Sequence, residues 1–328
     1  MANEVEKVAL IAVGSIEKID LITVANMEKV SGMEISAGST HTWSSAGAMN
    51  DAVSGAGGHA IGLVNTAVVV AGGYEGAFTD ETQERNGTTW TTESPTISAT
   101  RQEAGMGGSS TSGLIYGGWP GAGGNTNVTE EYGGSGWSSG GNIPTSKGAN
   151  RGCGTSQTDQ LEATGNIDGG TGTVGGRTAS TYNGSSWSAI TQPGNGTGYV
   201  GSFGEASAGY FCGGYGYPSA MNHIQYWNGS SWTTDPSSAT MRIYQFQQGF
   251  SFGSSSDAVV GGGAGATTSG DSYATNQTHA DKWDGSAFSA TGTVPYGRND
   301  MMGAGVVTGG TAFGGGGGSP VDTCVTYA

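Results

Sequence analysis

Charge is scarce in this chain and mostly of one sign. Of 328 residues 11% are charged, and 11 lysines and arginines face 26 aspartates and glutamates, a formal net charge of −15. Binding nucleic acid through its phosphates takes clustered cations. Basic residues so few and so scattered exclude that class, and the acidity reads as solubility through self-repulsion. Cysteine is rarer still: Cys153, Cys212 and Cys324 stand far apart with no CxxC spacing, which argues against a disulfide framework and against a zinc site. Long apolar runs are missing as well. The stretch Val8 to Val13 is far too short to span a bilayer, and the opening Met-Ala-Asn-Glu-Val-Glu lacks the basic flank of a secretory signal. The expectation is a soluble product made in a cytoplasm, with no membrane span. Strong helix formers fade after about residue 36, where Gly, Ser and Thr dominate.

Glycine and aromatic residues fill the space left. The 65 glycines alone suggest disorder, but disordered chains lack aromatics, and here 8 Trp, 13 Tyr and 8 Phe recur at repeating positions. The organising stretch is Tyr182-Asn183-Gly184-Ser185-Ser186-Trp187. It returns as Tyr226-Trp227-Asn228-Gly229-Ser230-Ser231-Trp232 and as Arg85-Asn86-Gly87-Thr88-Thr89-Trp90. Looser copies are Tyr132-Gly133-Gly134-Ser135-Gly136-Trp137 and Trp283-Asp284-Gly285-Ser286-Ala287-Phe288. Each reads as a strand ending in an aromatic, a two-residue turn, and a strand carrying a second aromatic. Asn-Gly, Asp-Gly and Gly-Gly can place φ > 0 at both central positions, so the expected connection is a tight type I′ hairpin. The same chemistry accounts for the glycosylation-type sequons at Asn183 and Asn228.

The second aromatic falls at Trp43, Trp90, Trp137, Trp187, Trp232 and Phe288, at intervals of 47, 47, 50, 45 and 56 residues. A four-stranded propeller blade has this length. Within a unit a small-residue strand such as Ala104-Gly105-Met106-Gly107 comes first, as suits a crowded innermost position. An apolar strand ending in a glycine pair follows, as in Leu114-Ile115-Tyr116-Gly117-Gly118, then a variable loop and the hairpin. The third unit fits worst, since Leu161-Glu162-Ala163-Thr164-Gly165 is less apolar and its glycines look displaced. The chain stops at Thr323-Cys324-Val325-Thr326-Tyr327-Ala328, a third strand without its turn, and the missing fourth strand stands at the front as Ser39-Thr40-His41-Thr42-Trp43-Ser44. The expected fold is all-β, a six-bladed β-propeller over residues 37–328 whose N- and C-terminal strands share the last blade. Such closure removes exposed sheet edges.

Residues 1–36 differ from the rest. They hold almost no glycine and carry their own short repeat, Ile16-Glu17-Lys18-Ile19 and Met27-Glu28-Lys29-Val30. The apolar positions Ile16, Ile19, Met27 and Val30 suit short helical turns. So short a segment cannot bury a core alone, so it is expected to dock on the main domain or on another subunit.

From residue 36 onward the chain resembles the kelch-type β-propellers. The resemblance rests on the Gly-Gly pair after the second strand, the Tyr or Trp before the turn, and the Trp about five residues later. Several units add a basic residue ahead of the first strand: Arg101, Lys147, Arg242 and Arg298. The departure is Gly and Ser where eukaryotic kelch units hold larger apolar residues. The Asn-Gly-Ser-Ser-Trp wording, with the short N-terminal repeat, is similar to kelch-repeat virion proteins of tailed bacteriophages, marine ones especially. That resemblance implies a non-enzymatic structural protein of a phage particle: a decoration, tail-associated or fibre-like component localised to the virion. Its implied partners are other virion structural proteins and, in host attachment, a host surface glycan or receptor, with homo-oligomers left open. A carbohydrate-binding lectin or adhesin propeller is the alternative, and the two are compatible on a virion.

Enzyme chemistry finds little support among the residues. Kelch-fold galactose oxidases hold copper with two Tyr, two His and a thioether-linked Cys, whereas His41, His59, His223 and His279 here are placed to lie apart, as surface histidines do. No metal and no cofactor are expected. Sialidases carry an Asp-box at the same hairpin, but its aspartate position is Arg85 before Trp90 and Tyr182 before Trp187. No Tyr–Glu nucleophile pair stands out beside the arginines. No glycine-rich stretch has the Gly-Lys-Ser/Thr context of a phosphate loop. Arg101, Lys147, Arg242 and Arg298 are expected to ring one mouth of the central channel, either bonding carbonyls of neighbouring blades or forming an anion-binding funnel. On the same side three units carry an aromatic after the glycine pair, Tyr74, Trp119 and Tyr215, with Tyr217 close by. With Arg101, Arg242, Arg298 and the long loops Pro120 to Val128 and Ala264 to His279, these make the candidate binding face, suited to sugar stacking or a protein contact. The competing reading is that Gly-Gly-aromatic covers the seam between blades.

Overall fold

The computed structural model describes residues 41–55, 60–121, 123–167, 176–214, 224–235, 244–247, 249–266, 275–316 and 319–328. The expected docking segment, with Ile16, Ile19, Met27 and Val30, lies outside the described residues, as do His59, Tyr215, Tyr217, His223 and Arg242. All regular structure among the described residues is strand, and no helix there is long and apolar enough to cross a membrane.

Strand β1, Trp43–Ser45, opens the described chain. Blade one follows as β2 Ile61–Val64, β3 Ala67–Tyr74, β4 Phe78–Asn86 and β5 Thr89–Glu93. Blade two is β6 Gly105–Ser109, β7 Ser112–Tyr116, β8 Thr129–Tyr132 and β9 Trp137–Ser139. Blade three is β10 Arg151–Ser156, β11 Asp159–Ala163, β12 Ala179–Tyr182 and β13 Trp187–Ala189. Blade four is β14 Gly201–Glu205, β15 Ala208–Cys212, β16 Ile224–Trp227 and β17 Trp232–Asp235. After β18, Tyr244–Gln247, come β19 Phe250–Ser254, β20 Asp257–Gly261, β21 Ala264–Ala266, β22 Thr275–Asn276, β23 His279–Trp283 and β24 Phe288–Thr293. Blade five takes β19, β20, β23 and β24, while β18, β21 and β22 form a small sheet of their own. The stretch from Ala264 expected to be a plain loop therefore contributes strands, and this insertion accounts for the long 56-residue interval. Blade six is β25 Met302–Val306, β26 Gly309–Phe313 and β27 Cys324–Tyr327, completed by β1 from the front of the chain.

The innermost strands β2, β6, β10, β14, β19 and β25 neighbour one another in that order, and β25 returns to β2, so the ring is closed. Their close approach explains the small residues. A Cβ on Gly303 would sit 2.7 Å from the Ser251 carbonyl oxygen of the adjacent blade. Where serine stands instead, it bonds across: Ser202 Oγ donates to Gly152 O at 2.9 Å and Ser251 Oγ to Ser202 O at 2.8 Å. The repeated aromatics fill the seams further out. Trp187 of blade three meets Tyr116 of blade two at 4.8 Å, Trp90 of blade one meets Phe313 of blade six at 5.0 Å, and Trp43 of blade six meets Phe250 of blade five at 5.3 Å. A buried Trp removes ~150–250 Å² from water, worth at most about 4–6 kcal/mol, so the aromatic repeat supplies much of the inter-blade adhesion.

Two local expectations are corrected. Tyr182 pairs with Trp187, Trp227 with Trp232 and Trp283 with Phe288, so four residues rather than two make each of these connections, whereas in blade one Asn86 pairs with Thr89 and leaves the expected two. In the three longer connections only Gly184, Gly229 and Gly285 are left-handed, at +92°, +87° and +92°, while Asn183, Asn228 and Asp284 are not. The Asx side chain instead accepts from the loop backbone: Asn183 Oδ1 from the N–H groups of Ser185 and Ser186, both at 3.0 Å, and Asp284 Oδ1 from Ser286 and Ala287 at 2.9 and 2.8 Å. That side-chain mimicry of a turn makes the type I′ backbone unnecessary.

The second correction concerns the glycine pair. In five blades both of its residues are left-handed, for example Gly117 at +62° and Gly118 at +101°. In blade three the pair is not displaced: Thr164, at φ +67°, takes the first place and Gly165 the second. The backbone shape is demanded by a bond to the next blade. The second N–H donates to a carbonyl of the following lead-in: Gly73 to Arg101 at 2.7 Å, Gly118 to Lys147 at 2.8 Å and Gly165 to Thr197 at 2.7 Å.

Candidate functional site

The connection after the second strand and the one entering from the previous blade lie at the same end of the ring. They flank the end of one strand and the start of its antiparallel neighbour, as β7 and β6 show. Tyr74 exchanges backbone hydrogen bonds with Ser54 at 2.8 and 3.0 Å, and Trp119 does the same with Gln102 at 2.8 and 3.0 Å. The ring of Phe78 stands between them, edge-on to both, 5.9 Å from Tyr74 and 5.3 Å from Trp119. All three are half-buried, and because Phe78 is in blade one and Trp119 in blade two, the ladder crosses the seam. Phe78 has no counterpart in the repeat and so carried no signal.

The described basic residues of this end match neither expected arrangement, bonding to carbonyls of neighbouring blades or an open anion-binding funnel. Arg101 is 2% exposed. Its guanidinium pairs with Glu130 and donates to Val128 O at 3.1 Å, all within its own blade. Lys147, 0% exposed, pairs with Glu162 and donates to Thr178 Oγ1 at 2.7 Å. Neither side chain reaches a neighbouring blade's carbonyl; it is their own carbonyls that receive the N–H of Gly73 and Gly118. The half-buried Arg298 lies over the Tyr296 ring, 4.7 Å from its centre. His41 stacks on Tyr327 at 5.0 Å, and His279 sits 3.1 Å from Gln277.

Nearer the channel axis the fold assembles a cluster from four blades. Glu103, Ala149, Tyr199 and Asp300 each stand two residues ahead of an innermost strand, and all four are left-handed, at φ +57°, +50°, +60° and +57°. Left-handed backbone costs a non-glycine residue ~1–3 kcal/mol. Here it aims N–H groups at the adjacent lead-in, Glu103 at Gly55 O (2.5 Å) and Tyr199 at Ala149 O (3.1 Å). The Tyr199 hydroxyl donates to the Glu103 carboxylate, 3.2 and 3.3 Å from its two oxygens. A Tyr–Glu pair is therefore present, contrary to the sequence expectation, and its members lie 96 residues apart. Arg151, buried beside it, donates Nη1 to Asn150 O at 2.9 Å, and its Nε has no partner among the described residues.

Burial dominates the electrostatics of this cluster. It pushes the Glu103 carboxyl up, with Arg151 pulling the other way and Asp300 adding to the rise. It lifts Asp300 to about 6 against the pull of Arg151. Burial followed by the Glu103 charge holds the Tyr199 phenol well above its ordinary range.

Six four-stranded antiparallel blades in a closed ring define a six-bladed β-propeller. No family model and no curated protein sequence matches the chain. Among solved structures, that of YjhT is similar, with a TM-score of 0.66 at 13% identity over 87% of this chain and 100% of the YjhT chain. At that identity the likeness is one of fold alone.

Proposed function

We propose that this chain is a non-enzymatic structural and interaction protein of a phage particle, docked through residues 1–36 and displaying its propeller outward. The observation that carries the reading is how the loop-bearing end uses its side chains. Arg101 and Lys147 are committed to interior ion pairs while Tyr74, Phe78 and Trp119 form a half-exposed ladder. Such a ladder offers an apolar contact surface. The virion setting rests on the Asn-Gly-Ser-Ser-Trp wording and the short repeat of the first segment. Changing Ile19 and Val30 together to Asp is expected to leave the melting temperature unchanged and to abolish incorporation into particles, read by immunolabelling of purified virions. Normal incorporation of the double variant sinks the docking role.

The second reading is a carbohydrate-binding propeller. The Tyr74–Phe78–Trp119 ladder beside polar loops favours it, since flat apolar rings flanked by hydrogen-bonding groups suit a sugar.

A further inference from the structure

Blade four departs from its neighbours along one register row. Phe203, Tyr210, Tyr226 and Thr233 face one another across its four strands. The same row in blade two is Gly107, Leu114, Glu131 and Ser138. There it works as a latch, because Glu131 accepts a 2.5 Å hydrogen bond from Tyr182 of blade three, just as Glu84 of blade one accepts from Tyr132 of blade two. The latch belongs to those two seams, since Thr181, Lys282 and Thr326 hold the glutamate's place in blades three, five and six; between blades four and five aromatics hold both places. Tyr226 stands where the glutamate does, and Trp283 stands where the tyrosine does.

The rings there stack. Phe203 lies on Tyr210 at 5.2 Å and 9°, Tyr210 on Tyr226 at 4.5 Å and 25°, and Trp283 leans against Tyr210 at 5.1 Å and 52°. Between these rings and the hairpin residues Gly285 and Ser286 opens a cleft of about 210 Å³. Phe203 is wholly buried and the Trp283 indole N–H is satisfied by Ser255 O at 3.0 Å. Tyr210 and Tyr226 are half-exposed, and neither hydroxyl has a hydrogen-bond partner among the described residues. Half-exposed phenols without a protein partner stay open to a ligand.

We propose that this cleft binds a neutral sugar ring. The stacked aromatics offer a flat apolar surface to the C–H face of a pyranose. The hydroxyls of Tyr210, Tyr226 and Thr233 at its edge can each donate or accept, and Ser286 Oγ, which donates to Asp284 Oδ1 at 2.8 Å, can still accept, matching ring hydroxyls of either sense. No charged side chain lines the cleft, so nothing compensates a charged ligand. Its volume lies below the ~300–1,000 Å³ of drug-sized sites, which limits the occupant to a single ring. An apolar peptide side chain, the competing occupant, leaves both phenols unpaired. The assignment rests on the carbohydrate reading above but places a site at the hairpin end of the ring, away from Trp119.

Saturation-transfer NMR on the full-length chain with the methyl glycosides of glucose, galactose and mannose tests it. Transfer to ring protons of at least one glycoside is expected. Tyr226→Phe weakens binding by about tenfold, and Thr233→Trp, which fills the cleft from an exposed position, abolishes it with an unchanged melting curve. Absence of transfer from all three glycosides, or transfer that survives Thr233→Trp, overturns the site. Binding of N-acetyltryptophanamide without any glycoside assigns the cleft to protein side chains and overturns the sugar. Glycoside binding lost in Trp119→Ala but kept in Thr233→Trp leaves the carbohydrate reading standing and removes this cleft from it.

Discussion

Trp43 and Tyr327 pair across the join between the two ends of the described chain, with ring centroids 4.9 Å apart. The backbone on either side is tied by Thr42 N–H to Ala328 O at 2.9 Å, and Trp43 reaches on to Phe250 of blade five. The join is therefore both the outer edge of blade six and part of the five–six seam.

Removing residues 1–36 is expected to leave the melting temperature unchanged, whereas removing 1–46 strips β1 and Trp43. A fully buried Trp is worth at most about 4–6 kcal/mol, and the half-buried Trp43 somewhat less. Set against a domain margin of ~5–15 kcal/mol, the loss of strand and ring together is a large drop in melting temperature. Equal melting of the two truncations is the outcome that contradicts the closure.

Thr164 sits in a glycine's backbone conformation, φ +67°. Strain of ~1–2 kcal/mol at a branched residue outweighs the ~0.5–1 kcal/mol entropic cost of glycine. Thr164→Gly is expected to stabilise by roughly 1 kcal/mol on those magnitudes, read from urea midpoints. The reverse change, Gly117→Thr, places a Cβ 2.7 Å from Lys147 O and is expected to destabilise by about 2 kcal/mol or more. A destabilised Thr164→Gly means that packing of the threonine side chain outweighs the strain.

Stability is expected to fall as pH rises from about 4 to about 7. Asp300 is raised to about 6 by burial, and Glu75 to about 7 by burial with Glu81 and Asp51 nearby. In that window the folded chain keeps protons that the unfolded chain has released, so their contribution is full below the unfolded value and lost through the folded one. Asp284, held low by the Ala287 N–H and the Ser286 hydroxyl, runs the other way but only below about pH 4. Melting temperatures at fixed ionic strength check the sign. Asp300→Asn flattens the lower part of the slope and Glu75→Gln the upper part; a wild-type curve that rises between pH 5 and 8 contradicts it.

Trp119→Ala removes one member of the Tyr74–Phe78–Trp119 ladder. An edge-on aromatic pair is worth ~0.5–1.5 kcal/mol, so only a modest fall in melting temperature is expected, together with lost attachment to cells or glycans. Phe78→Ala is expected to behave alike, because both neighbours rest on that ring. A large stability loss with attachment intact assigns the ladder to the seam.

The sequence by itself determined the blades, their number and their closure, because each blade is built from local pairings and the aromatic, turn and glycine-pair signals repeat every 45 to 56 residues. It also placed Tyr74 and Trp119 at one end of the ring, since strand order alone decides that. The turn type was misjudged from the same residues, as Asn183 and Asp284 act through side-chain oxygens rather than through backbone φ. Only the tertiary structure decided what stands next to what between blades. Tyr199 and Glu103, 96 residues apart, meet because ring closure brings the same lead-in position of different repeats to one axis. Tyr210 and Trp283 form a cleft because two successive blades face each other along a register row. Arg101 and Lys147 turned inward because burial beside Glu130 and Glu162 decides where a long cationic side chain goes. A repeat writes each blade nearly alone, and relations between blades exist only once the ring has closed.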